Sequence, residues 1–201
     1  MVTRSGERKN QILQVLAEML EAPKGEKITT AALAERLDVS EAALYRHFAS
    51  KAQMYEGLIG FVEETVFGLI NKISTEQESG LKQTHAIAAM LLSFAEKNPG
   101  MTRVLIGDAL VNEDKRLQLR INQLHDRLEA ALKQSLRLAA TQGEIDKDSD
   151  IADGEHAAPD PGARANLMLA YIVGRWHQYA KSGFRRLPTE LWQKQGPMLL
   201  G

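Results

Sequence analysis

The sequence contains no cysteine, which excludes disulfide frameworks and cysteine-ligated metal sites and suits a reducing cytoplasm. It has no uninterrupted apolar run of about 18 residues, so no membrane span is expected. Residues 1–6 are polar and the first apolar stretch is amphipathic, so no secretory signal is expected either. Charge of one sign is also missing: 25 basic and 26 acidic residues leave a formal charge of −1. No global field draws nucleic acid to such a chain, and any electrostatic footprint has to be local.

Catalytic apparatus is equally scarce. The five histidines, at positions 47, 85, 125, 156 and 177, include no i, i+4 pair that would hold a metal from one helix face. There is no Gly-rich phosphate loop and no nucleophile-elbow sequence. His125, between Leu124 and Asp126, reads as a surface or core-edge residue rather than a catalytic base. The acidic run Asp146, Asp148, Asp150 and Asp153, counted from Asp146, lacks the Gly at the sixth position and the Glu at the twelfth that a calcium loop uses. Neither an enzymatic activity nor a metal or other cofactor is expected.

What is present is a core-rich chain of 201 residues, 44% hydrophobic, with helical periodicity throughout. Its most informative stretch is residues 28–51, ITTAALAERLDVSEAALYRHFASK. A hydroxyl at Thr30 stands as an N-cap, and Leu33, Ala34 and Leu37 make one apolar face. Asp38-Val39-Ser40 breaks the period, Val39 plugs the gap, and Ser40 caps a second helix with Glu41 in its first turn. Leu44 and Phe48 turn inward at i and i+4. That leaves Ala42, Ala43, Arg46 and His47 on or near the other face, with Tyr45 at its edge.

Two adjacent alanines let a helix backbone approach a groove closely, and an Ala methyl can meet the thymine methyl. Tyr45, His47 and Lys51 suit phosphates through a phenol, an imidazole and an ammonium. Arg4, Arg8 and Lys9, ahead of the first helix, add basic charge to a patch with Arg46, His47 and Lys51. The bland alternative is an ordinary helical hairpin with a polar outer face.

The pattern T-x-x-x-L-A-x-x-x-x-V-S-x-x-x-L-Y-x-H-F-x-x-K, from Thr29 to Lys51, resembles the DNA-binding segment of TetR-type repressors. One departure is Asp38, where such turns usually carry Gly; Asp tolerates the left-handed conformation better than most residues. The resemblance implies an all-α, TetR-like fold: an N-terminal three-helix DNA-binding domain over residues 1–52 and a C-terminal helical dimerisation and regulatory domain over residues 53–201. The DNA-contacting set would be Thr29, Thr30, Ser40, Glu41, Ala42, Ala43, Tyr45, Arg46, His47 and Lys51, on a palindromic double-stranded site.

The remainder reads as further helices. Residues 10–21 close a three-helix unit, ended by Pro23-Lys24-Gly25. Residues 51–74 carry Met54, Leu58, Phe61, Val62, Val66 and Ile70 along one face, and residues 81–96 are followed by Asn98-Pro99-Gly100, a strong stop. Residues 101–111 suit a short buried helix. Leu117, Ile121, Leu124, Leu128, Ala131, Ser135 and Leu138 step by four and three, either a packed amphipathic helix or an intermolecular coiled coil. Residues 143–162, with their acidic cluster, read as an exposed loop or a disordered linker, and a final helix begins at Leu191-Trp192 and is limited by Pro197.

Residues 163–182 carry Leu167, Met168, Tyr171, Ile172, Trp176 and Tyr179 on a wide apolar stripe. In TetR-like proteins the two C-terminal helices pair across a two-fold axis, which makes this stripe the candidate homodimer interface; packing inside the protomer is the alternative.

The resemblance reaches further, through FAEKNPGMTRVLIGDAL and RLQLRINQLHDRLEAALKQ, to the nucleoid occlusion factors within the TetR family. It implies a nucleoid-associated dimer that, when bound to DNA, binds the division protein FtsZ and blocks its assembly. The FtsZ-contacting positions would be Phe61, Leu69, Met90, Ser93, Lys97 and Asn98, in a groove between the fourth and fifth helices that Lys97 rims. Leu69 stands where that pattern has an arginine and Ser93 where it has a glycine. For Phe61, core packing remains an equal alternative. A ligand-responsive repressor is the other functional reading, with a small-molecule pocket in the C-terminal domain.

Overall fold

In a computed structural model the described residues are 4–22, 28–145 and 160–200, and all their regular structure is helical. The acidic run from Asp146 to Asp153 and the turn Pro23-Lys24-Gly25 lie outside them. In chain order the helices are α1 (Arg4–Leu20), α2 (Thr30–Arg36), α3 (Glu41–Tyr45), α4 (Lys51–Glu76), α5 (Gly80–Lys97), α6 (Pro99–Leu105), α7 (Lys115–Gln142), α8 (Pro161–Lys181) and α9 (Trp192–Leu200), with a 3-10 turn at Asp108–Leu110.

The chain forms two compact units. The first combines residues 1–64 with residues 98–122, and the second residues 65–97 with residues 123–201. The boundary expected at residue 52 is thus not where the compact units divide. The first unit runs on into α4 and takes in α6 and the start of α7 as well.

In the first unit, α1 buries Ile12 and Leu16 completely and lies against α2 and α6. Leu33, Leu44, Met54, Leu58 and Ile59 complete this core. The helices α1 and α6 approach closely because Gly100 has no side chain: a Cβ built there would lie 1.9 Å from the Ala17 carbonyl oxygen. Pro99 at the start of α6 suits a helix opening, where its missing N–H costs nothing. The Asn98-Pro99-Gly100 stop therefore also begins a helix, one residue after α5 ends.

In the second unit, α5 meets α8 and α9, and Ile87, Leu91, Leu92, Ile172 and Trp176 are buried. A Cβ on Gly80 would lie 2.2 Å from the Ala139 nitrogen, so α5 starts almost in backbone contact with α7. Beside it the buried Ser135 hydroxyl donates to Gln83 Oε1 at 3.1 Å, and Gln83 Nε2 donates to the carbonyls of Ser74 and Gln77. The Ser135 and Gln83 side chains buried beside Gly80 thus find partners, as burial demands.

The stripe on α7 resolves in favour of packing inside the chain. Leu117, Ile121, Leu124, Leu128 and Ser135 are buried as their spacing suggested, but Leu132, Leu136 and Ala139 are buried in place of Ala131 and Leu138. A straight helix of 3.6 residues per turn drifts away from a seven-residue repeat, and α7 follows the former. Pro197 does not limit the last helix either; it sits inside α9.

Candidate nucleic-acid interface and partner groove

The segment singled out by sequence forms a capped helix-turn-helix. Its first cap is Thr29, whose hydroxyl accepts from the Ala32 N–H at 3.1 Å, rather than Thr30. Thr30 is the first helical residue, and its freed hydroxyl donates to Glu41 Oε2 at 2.5 Å while accepting from the Tyr45 hydroxyl at 3.4 Å. The two helices are thereby tied together on their outer side. Ser40 caps α3 by accepting from the Ala43 N–H at 3.3 Å. Asp38 takes up the left-handed conformation, at φ 52°, that the missing glycine required.

Beneath the turn, Leu33, Ala34, Leu37, Leu44 and Phe48 are buried. They hold α3 so that Thr29, Ser40, Glu41, Ala42, Tyr45 and Arg46 are exposed and Thr30, Ala43 and His47 keep part of their surface. A face this small-sided lets the backbone of α3 come close to base edges, with the Tyr45 phenol and Arg46 guanidinium at its margin. Tyr45→Ala is expected to weaken binding to specific and unrelated duplexes by a similar factor, about 5–10-fold, because a phosphate contact carries no base information. Anisotropy titrations against both duplexes check this; a loss confined to the specific site would make Tyr45 a base reader.

Lys51, expected at a phosphate, has a partner within the protein. Its ammonium forms an ion pair with Glu113 at 2.5 Å, lies 5.6 Å from the Tyr55 ring centroid, and leaves 21% of the side chain exposed. Burial, with Glu113 as a second cause, pushes the Tyr55 phenol far above its ordinary range. A phosphate contact by Lys51 would have to break this pair. The expected basic patch is likewise partly spent: α1 already begins at Arg4, so Arg8 and Lys9 lie within it, and Arg8 donates to Gln11 Oε1 while Lys9 sits 5.7 Å from the Phe48 ring centroid.

Sequence reasoning also passed over the start of α4. Ser50 accepts from the Gln53 N–H at 3.2 Å and Gln53 Oε1 accepts from the Ala49 N–H at 2.8 Å. The Ser-x-x-Gln signature of this cap was legible. Glu113 was not, since no local pattern relates it to Lys51, 62 positions away.

Phe61 is not core. It is 49% exposed and lines a cavity of about 450 Å³ in the first unit with Leu13, Ala17, Leu58, Asn98 and Met101. The polar edge of the cavity is formed by Asn10, Gln14, Glu18 and Glu21. Partial burial, followed by the nearby Glu18 charge, raises the Glu21 carboxyl above its usual range. Phe61 and Asn98 are therefore brought together. Lys97, expected to rim the same groove, is an exposed residue of the second unit, and the ionisable groups lining this cavity are carboxylates. Leu69, Met90 and Ser93 also belong to the second unit, with Leu69 39% exposed and the other two partly exposed.

The stripe on α8 divides. Met168, Ile172, Trp176 and Tyr179 are buried within the protomer, where Trp176 Nε1 donates to the Leu91 carbonyl at 3.2 Å and the Tyr179 hydroxyl to that of Glu96 at 3.0 Å. These four have no surface left for a second copy. Their role is core, because the stripe is wider than one interface and its centre faces α5. Tyr171 is partly covered and donates to Gln195 Oε1 at 2.9 Å. Leu167 is the one of the six that stays exposed, at 54%.

The sequence relatives agree with both halves of this architecture. A family profile described as "Bacterial regulatory proteins, tetR family" matches residues 17–58, and the SlmA-like profile described as "Tetracyclin repressor-like, C-terminal domain" matches residues 78–201. The chain is 50% identical over 188 residues, 94% of its own length and 91% of the relative's, to a protein of Alteromonas mediterranea named nucleoid occlusion factor SlmA. A protein of the same name from Idiomarina loihiensis is 47% identical over 195 residues, 97% of this chain and 94% of the relative. Among solved structures, the fatty acid degradation regulator FadR of Bacillus halodurans superposes with a TM-score of 0.77 at 14% identity, covering 99% of this chain and 97% of that one. At that identity the likeness speaks for the fold alone, whereas the near-full-length identities speak for descent. A TetR-type helix-turn-helix followed by a C-terminal region matched end to end by such relatives places the chain in the TetR family, among its SlmA nucleoid occlusion factors.

Proposed function

We propose that this protein is a nucleoid occlusion factor: a homodimer that reads a palindromic DNA site through α3 and, once on DNA, binds FtsZ and inhibits its assembly over the nucleoid. A curated relative carrying that name is 50% identical to it over 188 residues, 94% of the chain. The observation that carries the partner half is Phe61, a large aromatic half-exposed in the lining of the first unit's cavity. An aromatic that keeps about half of its surface in water is suited to anchor a partner. Leu69, Met90, Ser93 and Lys97 extend the reading to α4 and α5. Met90, Ser93 and Lys97 share one face of their helix at i, i+3 and i+7, and each keeps some surface.

Dimerisation falls to the outer side of the C-terminal helices, where Leu167 on α8 is 54% and Met198 on α9 is 82% exposed. A two-fold dimer presents two copies of α3, which is why the DNA site would be palindromic.

FtsZ light scattering and sedimentation, with and without a duplex carrying the selected site, test the proposal. DNA-dependent loss of polymer is expected. Phe61→Ala is expected to abolish that inhibition, weakening FtsZ binding about tenfold or more, while leaving DNA affinity unchanged. Tight DNA binding with no effect of the wild-type protein on FtsZ would overturn the reading and leave a ligand-responsive repressor in its place.

A further inference from the structure

The end of α8 carries a basic site that neither the DNA-reading face nor the Phe61 cavity uses. From Pro161 to Glu190 the chain has five Lys or Arg residues and one acidic residue, against a formal charge of −1 for the whole protein. The one acid, Glu190, is taken by Arg175, whose guanidinium donates to it at 2.9 Å. Arg175 also donates to the carbonyls of Pro188 and Leu187, at 3.2 and 2.6 Å. Lys181, Arg185 and Arg186 are left without an ion pair among the described residues.

The chain gathers these three by a specific turn. Gly183 and Phe184 both have positive φ, 64° and 62°. The Gly183 N–H donates to the Ala180 carbonyl at 3.2 Å and the Phe184 N–H to that of Tyr179 at 2.9 Å, which closes α8 in a Schellman motif. The Phe184 ring packs edge-on against the Tyr179 ring, 5.1 Å between centroids, as the apolar contact of that motif. Ser182 Oγ accepts from the N–H groups of Arg185 and Arg186 at 3.1 and 2.9 Å. This turns the two arginines back over α8, where they line a cavity of about 450 Å³ with His177, Gln178, Lys181 and Ser182.

Neutralising a helix C-terminus does not account for the cluster. The dipole places about half a negative charge there, and its last carbonyls are already satisfied by the turn and by Arg185 Nε, which donates to Ser182 O at 2.9 Å. Three full positive charges overshoot that need several-fold, and no carboxylate lines the cavity. Guanidinium pairs grip phosphate oxygens through paired N–H donors, and an ammonium adds a point charge. The cations come from one helical turn and its cap, a compact cup rather than the extended row a duplex backbone needs, and the volume suits a small ligand.

We propose that Lys181, Arg185 and Arg186, with His177 and Gln178 on the wall, form a site for a small polyphosphate anion: a free phosphate chain, or the same chain on a nucleotide. Calorimetric titration of the full-length protein with inorganic pyrophosphate, inorganic triphosphate and ADP tests it, beside an Arg185→Gln/Arg186→Gln double variant whose fold is checked by thermal unfolding. Saturable binding with a dissociation constant of about 1 mM or tighter, weakened about tenfold or more in the variant and by added salt, is expected. Tighter ADP than pyrophosphate would assign the source to a nucleotide, and equal affinities to the phosphate chain alone. No saturable heat with any of the three, or binding untouched by the double substitution, would overturn the site. So would a variant whose only loss is in duplex affinity, since the arginines would then serve DNA. None of these outcomes depends on whether FtsZ is the partner.

Discussion

Gly100→Ala is expected to lower the stability of the first unit by about 3 kcal/mol or more, toward or beyond the upper end of overpacking costs. Two effects of opposite sign meet at this position. An alanine in a helix is favoured over glycine by about 0.8–1.0 kcal/mol, which alone would make the substitution stabilising. Against that stands a Cβ only 1.9 Å from the Ala17 carbonyl oxygen and 2.9 Å from its carbonyl carbon. Both obstacles are backbone atoms of α1, so no rotamer change removes the clash and α6 has to move off the helix that supports the DNA-reading pair. Steric overlap wins, and the melting temperature should fall by roughly 6–12 °C at about 2–4 °C per kcal/mol for a chain of this size. Gly68→Ala is the control with the other sign. Nothing lies within 4 Å of a Cβ at that position in α4, so only the helix-propensity gain remains. Thermal unfolding of both variants decides the matter: if Gly100→Ala were as stable as wild type, the α1–α6 contact would not be close-packed.

Gly100 also shows where reading the sequence ends. Asn98-Pro99-Gly100 was legible as a break, because proline and glycine punctuate helices through their own backbones. That the glycine serves a contact with α1, some 80 positions earlier, has no local signature. The same division runs through the site. The Ser40 cap, the left-handed Asp38 and the inward Leu44 and Phe48 follow from spacing and side-chain chemistry within 24 residues, whereas the first cap lies at Thr29, one position before the Thr30 that the spacing favoured. The Lys51–Glu113 pair and the Phe61–Asn98–Met101 cavity are made by residues far apart in the chain, and only folding brings them together. On α7 the periodicity held for its first three turns and then lost phase, because a repeat of seven and a helix of 3.6 residues per turn diverge with length.

The α8 stripe is the sharpest case, and one pair of substitutions separates what periodicity merged. Trp176→Ala is expected to cost about 3–5 kcal/mol, the range for emptying a buried large aromatic site. Trp176 is wholly buried, donates from Nε1 to the Leu91 carbonyl, and lies 6.1 Å from the His125 ring. Its removal leaves a void walled by α5 and α8, and the second unit should unfold on the order of 10 °C lower. That shift should be the same at every protein concentration, because the lost packing is inside the protomer. Leu167 lies nine positions earlier on the same helix, yet 54% exposed. Leu167→Glu therefore removes little core. If α8 pairs two copies, it places two like charges at the two-fold interface and should shift the monomer–dimer equilibrium without an equal loss of protomer stability. Sedimentation equilibrium beside thermal unfolding reads the two effects independently. A Trp176→Ala melting point that rises with protein concentration to the wild-type value would return that residue to the interface, whereas the geometry assigns it to the core and keeps Leu167 at the surface.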